Sequence, residues 1–171
     1  MGWVELIGWT AVAANTGAYF ATDPRRALRL LGASELIWLL FHTLMGWPSA
    51  VVVSALTILR NLLGGFAPDR IMRPLVILIL LIVAGVLWWN ASAWHHYLPL
   101  AAAAVETGGV IWRDRPSRFR AGLIGSEILW GLFAIIERSG PNLVCTVIAI
   151  VVLLSHETRS RRSAPETPGR D

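Results

Sequence analysis

Apolar residues gather in seven runs along the chain, at 3–21, 27–47, 49–66, 74–89, 94–112, 119–136 and 141–155. A helix crossing a bilayer needs roughly 17–25 mostly apolar residues, and each run comes near that length. The run 74–89 is the most purely apolar, and 94–112 is the richest in alanine. Pro24, Pro48, Pro74, Pro116 and Pro141 fall between runs or in a first turn, where a missing N–H costs no helical hydrogen bond. Only Pro99 sits inside a run. Trp3, Trp47, Trp88, Trp89, Trp94 and Trp112 stand near run ends, as an interfacial aromatic belt requires. The pattern predicts an all-α integral membrane protein with seven transmembrane helices. It predicts a single transmembrane domain over 1–156 and a polar, disordered cytoplasmic tail over 157–171.

The connections alternate in charge. The first carries Asp23, Arg25, Arg26 and Arg29, the third Asp69, Arg70 and Arg73, and the fifth Arg113, Asp114, Arg115, Arg118 and Arg120. The second has no charge, the fourth lies at 90–93 just before His95 and His96, and Glu137 cancels Arg138 in the sixth. Cytoplasmic connections carry the excess of basic residues. The expected protein is multi-pass, with its N-terminus out and its C-terminus in.

Composition adds exclusions. Hydrophobic residues make up 55% of 171 positions and charged ones 15%, where a soluble domain carries about a quarter. Mean hydropathy is +0.58. A soluble nucleic-acid binder, a disulfide scaffold and a disordered chain are excluded. The net charge of +4 comes with arginine as the sole strong base, placed between apolar runs where topology accounts for it. The lone Cys145 forms no intrachain disulfide. The start, Met1-Gly2-Trp3-Val4-Glu5, lacks the basic segment of a signal peptide, so the first run is expected to be retained.

A repeat appears when the chain is shifted by 92 residues. Ser34-Glu35-x-x-Trp38-x-Leu40-Phe41 then meets Ser126-Glu127-x-x-Trp130-x-Leu132-Phe133, with Pro24 on Pro116, Arg26 on Arg118 and Gly17 on Gly109. Residues 6–46 against 98–138 give 11 identities in 41 ungapped pairs. With one inserted residue Pro48 also meets Pro141. The expected architecture is two three-helix repeats, 3–67 and 94–156, joined by a linker helix at 73–90 (3+1+3). The odd linker span makes the two repeats parallel, with a pseudo-twofold axis along the membrane normal.

The stretch Asp23-Pro24-Arg25-Arg26-Ala27-Leu28, then Phe41-His42-x-Leu44-x-Gly46 and Ser54-Ala55-x-x-x-x-Arg60-Asn61, resembles the YgjV-type family of bacterial inner-membrane proteins. Leu123-Ile124-Gly125-Ser126-x-x-Leu129-Trp130 is similar to the same family in the second unit. The resemblance implies a type of membrane protein and no particular reaction. At the level of fold, the 3+1+3 order also resembles the SWEET and PQ-loop transporters. The sequence holds no Pro-Gln pair, and Pro24 and Pro116 lie in connections, so that resemblance implies shape rather than sugar transport.

Five ionisable residues fall within spans: Glu35, His42, Arg60, Glu106 and Glu127. Each charge costs about 2.5–3.5 kcal/mol at mid-span, so each needs a use. At 1.5 Å per residue, Glu35 and Glu127 stand roughly 12 Å, and Glu106 roughly 9 Å, inside the cytoplasmic end. Arg60, Asn15, Asn61 and Thr107 share that level. The candidate pathway comprises Glu35, Glu127, Glu106, Arg60, Trp38, Trp130 and Asn15. Glu35 is expected to pair with Arg60. Arg60 has no counterpart in the second unit, which leaves Glu127 without a cation. His42 reads as a structural histidine. His95 and His96, adjacent on a helix, point about 100° apart and read as interfacial. No metal-ligand spacing, nucleophile elbow or phosphate loop occurs, so no metal, cofactor or enzymatic step is expected.

Two function classes remain. One is a small-solute transporter with a polar pathway between two three-helix bundles, taking a small polar solute or a cation. The other is a non-enzymatic membrane interaction or assembly component whose polar residues hold its helices together. The lipid bilayer is the expected partner in both, nucleic acid in neither, and a homo-oligomer is compatible with each.

Overall fold

The computed structural model describes residues 2–90 and 93–162. It is helical throughout, with no strand among the described residues: α1 (Trp3–Tyr19), α2 (Pro24–Met45), α3 (Pro48–Phe66), α4 (Asp69–Asn90), α5 (Leu98–Ile111), α6 (Pro116–Ile136) and α7 (Gly140–Arg162), with a 3-10 turn at Trp94–Tyr97 ahead of α5. Four helices are long and apolar enough to cross a membrane by length and composition: Pro24–Met45, Pro48–Phe66, Pro116–Ile136 and Gly140–Arg159.

Local chemistry sets the helix ends. Asp23 caps α2 by accepting from the Arg26 N–H at 2.8 Å, and Pro24 opens the first turn with the φ a helix needs. Gly46 stops α2 in the left-handed region at φ 71°, with the Trp47 N–H bonded back to the His42 carbonyl. The end of α6 repeats this motif with Arg138 at φ 56° and the Ser139 N–H on the Ala134 carbonyl. The buried guanidinium of Arg113 donates to the Gly64 and Ala67 carbonyls and so satisfies the C-terminal end of α3.

Three boundaries differ from those the sequence predicts. The fifth run is a 14-residue helix behind a 3-10 turn, and Pro99 lies in that helix's first turn. The fourth helix starts at Asp69, five residues before Pro74, which therefore sits inside it and leaves one carbonyl of the preceding turn without its usual donor. The expected disorder from 157 onward gives way to helix as far as Arg162, because Glu157 is held by Arg120 of α6 at 2.9 Å. The rest of that tail, 163–171, lies outside the described residues.

The helices close a ring. α1 packs on α2 and α7, α3 on α2 and α5, and α6 on α5 and α7, while α4 lies outside against α3 and α5. Cross-ring contacts sort the turns to two ends. Arg113 on α3 and Arg120 on Glu157 gather arginine-bearing turns at one end. His42 near Asn142 and His95 on Glu137 gather the other turns at the opposite end.

Charged and polar side chains lie buried beside the apolar core, while large apolar side chains face outward. Arg60 is 2% exposed, whereas Leu81 is 65% and Val151 61% exposed. In water that arrangement would oppose the hydrophobic effect, whereas against lipid tails an apolar exterior costs nothing. Close packing between helices then rests on small residues. Gly109 and Gly122 bring the backbones of α5 and α6 together so tightly that a Cβ on Gly122 would stand 2.5 Å from the Gly109 Cα. Gly122→Val is expected to lower stability in detergent by about 1–3 kcal/mol, the usual cost of overpacking. Gly108→Ala, whose added methyl meets open space, is expected to leave the melting temperature unchanged. Equal melting curves for the two variants would remove this contact as a determinant of the fold.

Candidate functional site: a polar cavity inside the helix ring

A cavity of about 50 Å³ lies within the ring, counted as space open to the centres of water molecules. At roughly 10–15 Å³ per water, it holds about four waters or a solute of that size. All six ring helices line it and α4 contributes no described residue. Of the seven candidates from the sequence, six line this one space: Asn15, Glu35, Trp38, Glu106, Glu127 and Trp130. Arg60 stands behind the wall.

Arg60 does not pair with Glu35, which corrects the expectation. Its guanidinium binds Glu106 at 2.5 Å, with further bonds to the Asn61 side chain at 3.0 Å, the Ala103 carbonyl at 3.2 Å and the Thr107 hydroxyl at 3.3 Å. The physical reason lies in packing order. α3 touches α5 as well as α2, and α5 offers both a carboxylate and a carbonyl to the side of α3 that bears Arg60. A buried charge with an ion-pair partner and several hydrogen bonds is the affordable form of an intramembrane arginine.

The other two carboxylates are held by neutral groups. Ser54 donates to Glu35 at 2.7 Å, and Thr146 donates to Glu127 at 3.2 Å. Glu127 also accepts from the Tyr19 hydroxyl. Among the described residues no ion pair involves Glu35 or Glu127. The cavity thus holds two carboxylates with neutral donors beside one compensated Arg–Glu pair.

Two hydrogen-bond chains lead to these carboxylates. Ser34 donates to Asn15 at 2.6 Å, the Asn15 amide donates to the Tyr19 oxygen at 3.2 Å, and Tyr19 donates to Glu127. On the other side Asn142 faces His42 Nε2 at 3.5 Å, and His42 Nδ1 faces Ser54 Oγ at 3.0 Å. Since Ser54 gives its proton to Glu35, it accepts from a protonated Nδ1, which fixes the His42 tautomer. The His42 ring is stacked between Trp38 (centroids 5.6 Å apart, 21° between planes) and Trp130 (5.5 Å, 8°). An aromatic wall therefore joins α2 to α6 across the cavity.

Tyr19, His42, Ser54, Asn142, Cys145 and Thr146 belong to the site and were absent from the sequence candidates. One signal was present. Ser54 stands 19 residues after Glu35 and Thr146 stands 19 after Glu127, so the hydroxyl donors obey the same 92-residue shift as the carboxylates. Tyr19 gave no such signal, because its role depends on α1 reaching Glu127 of α6, a partner 108 residues away. Tyr19 also borders a second cavity toward the arginine-bearing end, lined by Pro24, Pro116, Phe119 and His156 among others. Its buried ring stands between the two spaces.

Outside the cavity, His95 and His96 are joined by Glu137 from the end of α6. The rings are nearly perpendicular, at 79°, in a 3-10 turn rather than an α-helix.

The family described as Imp-YgjV, bacterial inner membrane protein, matches residues 2–164. The chain belongs to the Imp-YgjV family. The protein is accordingly one of the bacterial inner membrane, and its apolar helices contact the bilayer. That description gives a place and no activity. No curated protein and no solved structure matches the chain. The likeness to SWEET and PQ-loop transporters therefore rests on predicted architecture alone. For this Imp-YgjV protein, function has to be argued from the cavity.

Proposed function

We propose that this protein carries a small cationic solute, or a proton, through the cavity between two parallel three-helix units. The observation that carries the reading is the pair Glu35 and Glu127. Two buried carboxyl groups with neutral donors line one space a few waters in size, where a bound cation would stabilise their ionised form. Trp38 and Trp130 line the same space, each with one face taken by the His42 ring. The chain from His42 through Ser54 to Glu35 offers a route for a coupling proton. In this reading Tyr19 separates the site from the arginine-bearing end, and no covalent chemistry is performed.

Several features support the 3+1+3 arrangement behind this reading. The contacts α1–α7 and α3–α5 are the exchange a twofold axis would produce. Gly46 and Arg138, 92 residues apart, both end a second helix in the left-handed conformation. The carboxylate–hydroxyl pairs keep the same shift without an inserted residue. On this shift the counterpart of Arg60 is Val152. The seven-span topology has a direct test. A reporter after Glu157 is expected to read cytoplasmic, and one at residues 90–93 periplasmic. Both on one side would overturn the span count.

The function is tested by uptake into proteoliposomes under a pH gradient, with alkali cations, small amines, neutral sugars and zwitterionic amino acids compared. Uptake of a cation or amine, or proton flux alone, is expected, with none of a sugar. Silence of every solute and of a pH-sensitive dye would overturn the reading in favour of an assembly component, for which the fully bonded Arg60–Glu106 layer would be internal glue.

A further inference from the structure

The end opposite the arginine-bearing turns carries a second constellation. The 3-10 turn Trp94–Tyr97 sets His95 and His96 beside Glu137, and one ligand atom from each lies within 4.8 Å of the others. His95 Nε2 is already 3.2 Å from Glu137 Oε1. Ligands bound to one tetrahedral ion at about 2.0–2.1 Å lie roughly 3.3–3.5 Å from each other, so the His95–Glu137 pair is close to that spacing and the third ligand atom is within 4.8 Å of both. The two rings meet edge to face, at 79° with centroids 4.6 Å apart, rather than stacking. All three residues are half-buried, open enough for water to complete a coordination shell.

A second observation concerns charge. Glu137 is the C-cap of α6, so its carboxylate sits at the negative end of that helix's dipole. An acidic side chain there is unfavourable by itself and is favoured once a cation is bound. Two imidazoles and one carboxylate suit a first-row ion better than a magnesium or calcium ion, which take oxygen.

We propose that His95, His96 and Glu137 form a binding site for a divalent first-row transition ion of the zinc type, with at least one position left to water. The ion would tie the turn ahead of α5 to the end of α6. This site is independent of the transport reading, since none of its residues lines the central cavity.

The test uses the full chain in nanodiscs, without a polyhistidine tag, titrated with Zn²⁺ by calorimetry and equilibrium dialysis. About one ion per chain is expected. His95→Gln, His96→Gln and Glu137→Gln are each expected to weaken binding by more than the ~10–100-fold that even an outer-shell partner is worth. His156→Asn, at another partly buried histidine, is expected to change nothing. Co²⁺ added to the unaltered chain is expected to give the visible absorption of a tetrahedral site, a readout that does not depend on any variant folding. Absence of stoichiometric Zn²⁺, binding indifferent to His95→Gln and Glu137→Gln, or a featureless Co²⁺ spectrum would each overturn the proposal.

Discussion

Arg60→Met is expected to lower folding stability by about 3–5 kcal/mol, because it strands the Glu106 carboxylate in a buried site. The loss is larger than for a surface ion pair, since neither partner has water to fall back on. Arg60 is 2% exposed and its side chain meets Glu106, Asn61, Thr107 and the Ala103 carbonyl. Met at both 60 and 106 removes the charges together and is expected to restore most of the stability, as apolar replacements of buried pairs commonly do. Combining Arg60→Met with Glu35→Gln is expected to give no such recovery, since Glu35 is held by Ser54. Folded yield and melting temperature in detergent read all three. Rescue by the Glu35 variant, and none by the Glu106 variant, would reverse the assignment of the pair.

Glu35→Gln is expected to leave folding within about 1 kcal/mol, because the glutamine retains an oxygen that accepts from Ser54, and Glu127→Gln to cost about 1–3 kcal/mol, because only one of its donors, Tyr19 or Thr146, keeps an acceptor. On the proposed reading their effect falls on transport. Removing one of the two acidic groups from so small a cavity is expected to reduce cation uptake about a hundredfold, equivalent to about 2.7 kcal/mol at the rate-limiting step. Tyr19→Phe removes one donor to Glu127 while leaving the ring between the two cavities, so a smaller loss is expected. Undiminished uptake in both glutamine variants would remove the carboxylates from the pathway.

Much of this was legible in the residues. The apolar runs, their proline boundaries and the arginine-bearing turns follow from the length of a bilayer-spanning helix and the cost of charge in lipid. Those rules act locally, so a linear reading finds them. Six of the seven candidate residues reach one cavity because helical depth and the 92-residue shift are both readable from numbering alone. The failures are of a different kind. The Glu35–Arg60 pairing matched depth and ignored azimuth, and depth along an axis says nothing of which neighbour a side chain faces. Disorder was expected after residue 156 because polarity there suggested no packing, yet Arg120 supplies a partner from 37 residues away.

The sequence by itself determined a membrane protein with carboxylates inside its apolar runs. Only the tertiary structure decided their partners. Which carboxylate Arg60 neutralises, and that His42 lies between Trp38 and Trp130, depend on the order of helices around the ring. The junctions of α1 with α7 and of α3 with α5 join residues far apart in the chain, and no periodicity records them. Hydrophobic spacing specifies that a helix has an inner face, whereas the identity of the group opposite that face is a property of packing.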